Sequence, residues 1–373
     1  LEAGAMNYSM LKKLSEGDLR RTIPRLRKLR KQLKEVPAKD SEGNLLLASW
    51  NLRDFGVPGG GFGHGERLPE SYFYIAETLS RFDFVAVQEV NNLYAWEEVM
   101  AILGPDYGFI ASDVTEGISG NGERLTYLYD KRKVSFRNIA GEIVLQPSML
   151  ISKTAKGGSQ FARTPYFASF RSGWRKFDIC TVHIYYGEEG GTKLKRRIEE
   201  IEEIAAVLGK RADVANEAGK AMILLGDFNI VGLDHKTMQA LKKKGFVVPP
   251  AIQKPPTGKR DSYYDQIAFK LAKDDALVLP KGKAEEAGSI PMFDYLFKPD
   301  EIDVYREFFE PLRQAAEDKA RAEAKKARKK APDPITPESY YKEWRTWQIS
   351  DHQPLWVRLD ADDSDEYLEK LLA

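Results

Sequence analysis

A chain of 373 residues, 42% of them hydrophobic, suits one large α/β domain or two average ones and can bury a sizeable core. Its 57 Lys and Arg against 56 Asp and Glu leave a formal net charge of +1, which excludes a globally basic nucleic-acid coat but not local basic patches. One cysteine, Cys180, excludes an intramolecular disulfide framework and a cysteine-rich zinc site, and no apolar run approaches the roughly 20 residues that span a bilayer.

Residues 1–5 precede Met6 and read as a remnant ahead of the native start, outside the fold. No apolar leader follows Met6, so a cytoplasmic protein is expected, with secretion open if a leader has been removed. Residues 6–43 form a basic helical extension. Leu11, Leu14, Leu19, Ile23, Leu26, Leu29 and Leu33 recur at helical spacing, giving one amphipathic helix or two, with Pro24 in the first turn of the second and Pro37 as the stop. Such a segment could be a phosphate-binding arm; a helix packed on the domain by its apolar stripe and the stems of Lys and Arg is the expectation.

From Leu45 onward, strands and helices alternate. Residues 45–50, 84–87, 126–129, 166–170, 177–184, 221–225, 266–269 and 355–359 are short apolar runs of strand length, and helical patterns fall at about 70–81, 192–209 and 236–244. Residues 304–331 depart from this alternation. They are rich in Ala, Lys, Arg and Glu and stopped by Pro332, Pro334 and Pro337, which predicts a solvated helix whose basic end either touches nucleic acid or complements the helix dipole. An acidic tail, residues 361–373, closes the chain.

Polar residues with catalytic chemistry sit at the ends of these runs. Asn51 ends the first strand, Glu89 the second, and His183 lies in Thr181-Val182-His183. Asp227 and Asn229 belong to Gly226-Asp227-Phe228-Asn229, Asp265 to Tyr264-Asp265-Gln266-Ile267, and Asp351-His352 precede the last strand. In layered α/β folds, groups at strand ends converge on one rim. Oxygen ligands without Cys suit a hard cation such as Mg²⁺ or Mn²⁺, with Ca²⁺ a further candidate. Histidines beside carboxylates supply acid and base near neutral pH. Singly, each of these residues could be only a helix cap or a turn former.

Their order resembles that of the endonuclease/exonuclease/phosphatase superfamily, and within it the deoxyribonuclease I-like branch. The resemblance runs from Ser49-Trp50-Asn51-Leu52-Arg53 through Gln88-Glu89-Val90, Glu123-Arg124, Arg163-Thr164-Pro165, His183, Gly226-Asp227-Phe228-Asn229 and Asp265 to Ser350-Asp351-His352. It implies an α/β four-layered sandwich: two mixed β-sheets packed face to face and flanked by helices. It also implies a single catalytic domain over residues 44–360, with the charged segment at about 304–340 as a helical insertion. Residue by residue, it assigns Asn51, Glu89 and Asp351 to a divalent metal. Asp227 and Asn229 go to the scissile phosphate, the metal or the attacking water. His352 is paired with Asp265 and His183 with Glu123, while Arg163 and Arg53 grip substrate phosphate.

Other residues have blander readings. His64, in a glycine-rich loop, belongs to a rim loop, His235 starts a helix, and Cys180 faces the core of its strand. Tyr340, Tyr341, Trp344 and Trp347 anchor the insertion to the sheet rather than stacking bases. Against the deoxyribonuclease I-like pattern, Asn91 and Asn121 replace an Arg and a Tyr that meet DNA, and the secreted enzymes' disulfides are absent. The expected activity is divalent-metal-dependent phosphodiester hydrolysis by a monomer, with nucleic acid, and DNA foremost, as substrate. Alternatives are a phosphomonoesterase or a small or lipid phosphodiesterase of the same superfamily, and a non-catalytic nucleic-acid-binding module.

Overall fold

The structure is a computed structural model; it describes residues 6–40, 43–114, 122–154, 157–188, 190–217, 220–253, 257, 262–271, 286–362 and 364–372. The strands are β1 (Asn44–Phe55), β2 (Phe84–Val90), β3 (Tyr107–Ala111), β4 (Arg124–Asp130), β5 (Val134–Glu142), β6 (Ile151–Thr154), β7 (Gly157–Ser159), β8 (Tyr166–Ser172), β9 (Arg175–His183), β10 (Lys220–Asp227), β11 (Asp265–Lys270), β12 (Ala287–Ser289) and β13 (Leu355–Asp360). The helices are α1 (Glu16–Gln32), α2 (Pro69–Leu79), α3 (Leu93–Leu103), α4 (Gly191–Glu217), α5 (Lys236–Lys242), α6 (Met292–Tyr295), α7 (Ile302–Lys326), α8 (Pro337–Gln348) and α9 (Ser364–Leu372). All eight apolar runs are strands, and the three helical patterns are α2, α4 and α5.

Two mixed sheets form the centre. One has the order β12-β13-β1-β2-β4-β3 and the other β11-β10-β9-β8-β5, and β1–β2 and β9–β10 are the parallel pairs of these two sheets. Leu45, Leu47, Phe84 and Tyr127 from the first sheet meet Phe170, Phe177, Ile223 and Ile267 from the second in a dry layer between them. The outer face of the first sheet packs under α1, α2, α3, α7 and α8 through Trp50, Tyr74, Trp96, Tyr305 and Trp344. The outer face of the second sheet packs under α4 and α5 through Ile201, Leu208, Leu224 and Met238. Strands covered on both faces need near-continuous apolar runs, and that is why these segments are legible in the sequence.

Helix α1 runs unbroken through Pro24, against the expectation of Pro24 in the first turn of a second helix. The proline removes one backbone donor. The helix is held on both sides of it by buried Thr22, Leu26 and Leu29 and by ion pairs of Arg21 with Glu70 and Arg25 with Glu301. Arg21 and Arg25 are therefore engaged with the domain, while Arg20 and Arg27 of the same helix are exposed. Helix α7 divides in two: Tyr305 and Phe309 are buried, while the basic end beyond Lys319 is mostly exposed, as a solvated helix would be. The aromatic residues of α8 anchor the insertion within the helical layer, where Trp344 packs on Phe297, Tyr305 and Phe309. His64 stacks on Trp347 with ring centroids 5.0 Å apart, so the rim loop is pinned to α8. Gly61 of that loop lies so close to the Trp347 indole that a Cβ would fall 1.9 Å from it.

Candidate active site

Strand register assembles the site. In the second sheet Asp227 pairs with His183 on one side and with Asp265 on the other, so three polar groups stand in a row where β9 and β10 end and β11 begins. In the first sheet Asn51 lies beside Gln88, one residue before Glu89. Beneath this rim the Gln88 amide donates to Thr181 Oγ1 at 2.9 Å, tying one sheet to the other. Within the second sheet Gly226 permits the close pairing of β10 with β9: at its φ of 131° a Cβ would fall 2.2 Å from the Val182 carbonyl oxygen.

Each histidine is held by a carboxylate. His183 Nδ1 lies 2.6 Å from Glu123 Oε1, and His352 Nδ1 lies 2.8 Å from Asp265 Oδ2. The opposite nitrogens face one oxygen, with Asp227 Oδ2 3.6 Å from His183 Nε2 and 3.7 Å from His352 Nε2. Asn51 closes the group, its Nδ2 donating to Glu89 Oε1 at 2.7 Å and to Asp227 Oδ2 at 3.1 Å. Asn229 donates its backbone N–H to Asp227 Oδ1 at 2.9 Å and its side-chain amide to the Ile184 carbonyl at 2.8 Å. Ser350 straps the last segment to β1, donating to the Asn51 carbonyl at 2.6 Å while accepting from the His352 N–H at 2.9 Å.

The backbone is strained at this rim. Glu89 and Asn229 have φ of 61° and 52°, and Arg53 and Asp54 have 45° and 47°. Such non-glycine conformations persist where surrounding contacts over-determine them. Here the Asp54 N–H donates to Glu89 Oε2 at 2.7 Å and the Arg53 N–H to Asn51 Oδ1 at 2.8 Å, fixing both side chains from the last residues of β1.

Electrostatically the site is short of positive charge. Glu89, Glu123, Asp227 and Asp265 are countered by two imidazoles and by Arg163, whose Nε donates to Glu123 Oε2 at 3.1 Å. Burial pushes the Glu89 carboxyl up to about 7, with Glu123 and Asp54 adding to the rise against the pull of His183. Burial likewise raises Asp265 against His352. For His183, burial and Arg163 work downward, but Glu123 and Asp227 outweigh them and the imidazole sits above its ordinary pKa. His352 is raised further, since Asp265 and Asp227 overcome its burial.

The sequence-predicted residues Asn51, Glu89, Glu123, Arg163, His183, Asp227, Asn229, Asp265 and His352 thus meet at one rim. Arg53 and Asp351 lie to one side. The Arg53 guanidinium stacks 3.9 Å over the Trp347 ring, binds Glu343 at 2.7 Å and stands 3.7 Å from Asp351 Oδ2. Among the described residues, Glu89 with Glu123 and His183, and Asp227 with Asp265 and His352, carry ligand atoms close enough to share an ion; Asp351 is in neither group. Asn121 lies outside the described residues. Sequence reasoning missed Asp54, Gln88 and Ser350 as supports of the site; their signal was adjacency to Asn51, Glu89 and His352, within the same motifs.

A layered pair of mixed sheets with this rim can be compared with known proteins. The structure of the human Nocturnin catalytic domain with bound sulfate anion matches with 14% identity over 89% of this chain and 99% of that one, at a TM-score of 0.50. An endonuclease/exonuclease/phosphatase family protein from Bacteroides thetaiotaomicron aligns with 18% identity over 87% of this chain and 100% of that one, at a TM-score of 0.49. The chain shares the fold of the Nocturnin catalytic domain, two mixed sheets packed face to face and flanked by helices. No family model matches its sequence. A protein named Deoxyribonuclease, from Thioalkalivibrio sp. (strain K90mix), is 30% identical over 193 residues; the match spans 50% of this chain and 46% of that protein. In this fold the four layers bring the ends of strands from two sheets to a common edge, and the candidate site occupies that edge.

Proposed function

We propose that the chain is a divalent-metal-dependent phosphodiesterase that cleaves DNA by in-line attack of an activated water. The observation that carries the reading is the pair of carboxylate-held imidazoles facing a single oxygen of Asp227 from two sides. An imidazole whose Nδ1 is fixed by a carboxylate presents Nε2 for proton transfer, and acid–base assistance of this kind is worth about 10²–10⁴-fold. In this reading His352 takes the proton from the attacking water and His183 returns one to the leaving oxygen. Asp227 and Asn229 orient the water and the phosphate between them. Arg163, and Arg53 at the edge, offset charge on the substrate.

Glu89 and Asn51 would hold the cation, Mg²⁺ or Mn²⁺ by donor type and Ca²⁺ less selectively. The fit rests on the excess of carboxylates and on the Asn51 amide, whose partly positive Nδ2 lies between Glu89 and Asp227 and whose oxygen a half-turn would present instead. When bound, the cation supplies the positive charge that neutralises the phosphoryl oxygens and loosens the hold of both imidazoles on their protons. DNA is favoured as substrate by the 30% identity to the protein named Deoxyribonuclease.

The test is a metal-titrated assay on supercoiled plasmid, single-stranded DNA, RNA and a panel of phosphomonoesters. Metal-dependent cleavage of DNA, abolished by His352→Ala, is the expected result. Phosphate release from the panel with DNA intact would replace this reading with a phosphomonoesterase. Salt-sensitive DNA binding that survives EDTA, with no cleavage under any metal, would leave a binding module.

A further inference from the structure

Beside His352 opens a cleft of about 600 Å³ that the mechanism above does not use. Its near end is formed by Asp351 and His352 and its floor by Pro291, Met292 and Phe293, the last two on α6. Its far wall is α8, which contributes Lys342, Arg345 and Thr346. The Arg345 guanidinium lies 4.4 Å over the Phe293 ring and donates to the Phe297 carbonyl at 3.1 Å, so the ring is held in place by α8. Lys342 and Arg345 are outnumbered by Asp294, Glu343 and Asp351, which also line the cleft, so it offers no excess of positive charge for a second phosphate.

We propose that this cleft takes the base and sugar of the nucleoside joined to the scissile phosphate, with Phe293 as the residue that discriminates in favour of a nucleoside. The proposal rests on the phosphodiesterase reading of the adjoining rim. The volume is that of a small-ligand pocket, and an apolar floor with a fixed aromatic ring and a guanidinium plane suits a heterocycle that is flat and uncharged. Continuity with His352 matters as much. His352 lines the cleft and its Nε2 lies 3.7 Å from Asp227 Oδ2, so a group bound there adjoins the reacting phosphate, and binding energy gained away from the reacting atoms can be used to orient the reacting ones.

The experiment compares kcat/KM for thymidine 5′-(4-nitrophenyl phosphate) and for bis(4-nitrophenyl) phosphate, which has no nucleoside. The wild-type protein is expected to favour the nucleoside ester. Phe293→Leu, which keeps the apolar volume but loses the ring, should cut that preference about tenfold, chiefly through KM, and Phe293→Tyr should restore it. Melting temperatures of both variants show that they are folded. Binding of a fluorescein-labelled oligodeoxynucleotide in EDTA, read by anisotropy, separates the two readings. Weaker binding by Phe293→Leu in a protein that hydrolyses neither ester would end the phosphodiesterase reading and leave the cleft standing. Hydrolysis with the same preference and the same binding in wild type and Phe293→Leu would overturn the cleft.

Discussion

The two ends of β2 carry buried charge clusters with opposite characters. At its start, Asp83 meets Lys133 at 3.0 Å and Lys39 at 3.9 Å, and Asp130 meets Lys39 at 3.2 Å and Arg132 at 2.5 Å. At its outer edge Arg132 also meets Asp106 at 3.5 Å, so three acids and three bases are matched, and the Asp83 carboxylate also accepts the Leu46 N–H at 2.8 Å. About 20 Å away by strand rise, the cluster around Glu89 has carboxylates in excess. A matched cluster is complete as folded. An unmatched one keeps its acids charged only if positive charge arrives from outside: burial raises both Asp83 and Glu89, but Lys133 and Lys39 oppose it at Asp83 while Glu123 and Asp54 add to it at Glu89, which is pushed up to about 7. Buried charge is a structural device at one end of the strand and a binding device at the other.

Substitutions at the two ends should therefore separate activity from stability. The largest expected effect is on turnover. His352→Ala or His183→Ala should lower kcat on DNA by about 10²–10⁴-fold with a lower urea midpoint, since each leaves a buried carboxylate without its imidazole, and Asp227→Asn should lower kcat by a comparable factor while its midpoint stays at the wild-type value or rises as repulsion is relieved. At the matched end, Asp83→Ala should cost about 3–5 kcal/mol in urea unfolding, because Lys133 is left buried without its carboxylate and Lys39 keeps only Asp130, while the folded fraction keeps its turnover. Metal binding should depend on pH with a definite sign. Below about 7 the Glu89 carboxyl keeps its proton and the cation must displace it, so affinity rises with pH through that value. Calorimetric titrations one pH unit either side would show the difference. The smallest effect belongs to the exposed end of the insertion, where Lys329→Ala with Lys330→Ala should change stability by less than about 0.5 kcal/mol. A shallower salt dependence of DNA binding in that double variant would give this end a phosphate contact.

Legibility in the sequence followed burial. Strands sandwiched between layers, such as β1, β2 and β10, announce themselves as apolar runs because both faces are covered. Strand β5 escaped notice because it is an edge strand with exposed residues at 138–142 and a positive φ at Asn138 that shifts its register. Helix α3 was missed although Asn92 caps it through the backbone N–H groups of Tyr94 and Ala95, since its short apolar pattern reads equally as a strand. In the site, residue types and chain order identified the acids and the imidazoles. Nothing in the sequence announces the left-handed backbone at Glu89 and Asn229, which depends on contacts from distant segments. Arg53 shows the same limit, for its stacking on Trp347 is created by α8, nearly three hundred residues away.

A calorimetric titration of Mn²⁺ into the wild-type protein and into Glu89→Gln at pH 8 tests the charge deficit most directly. Saturable binding to the wild type, lost or weakened at least tenfold in Glu89→Gln with the melting temperature retained, is the expected result. Equal binding by both proteins, or none by the wild type, would contradict it.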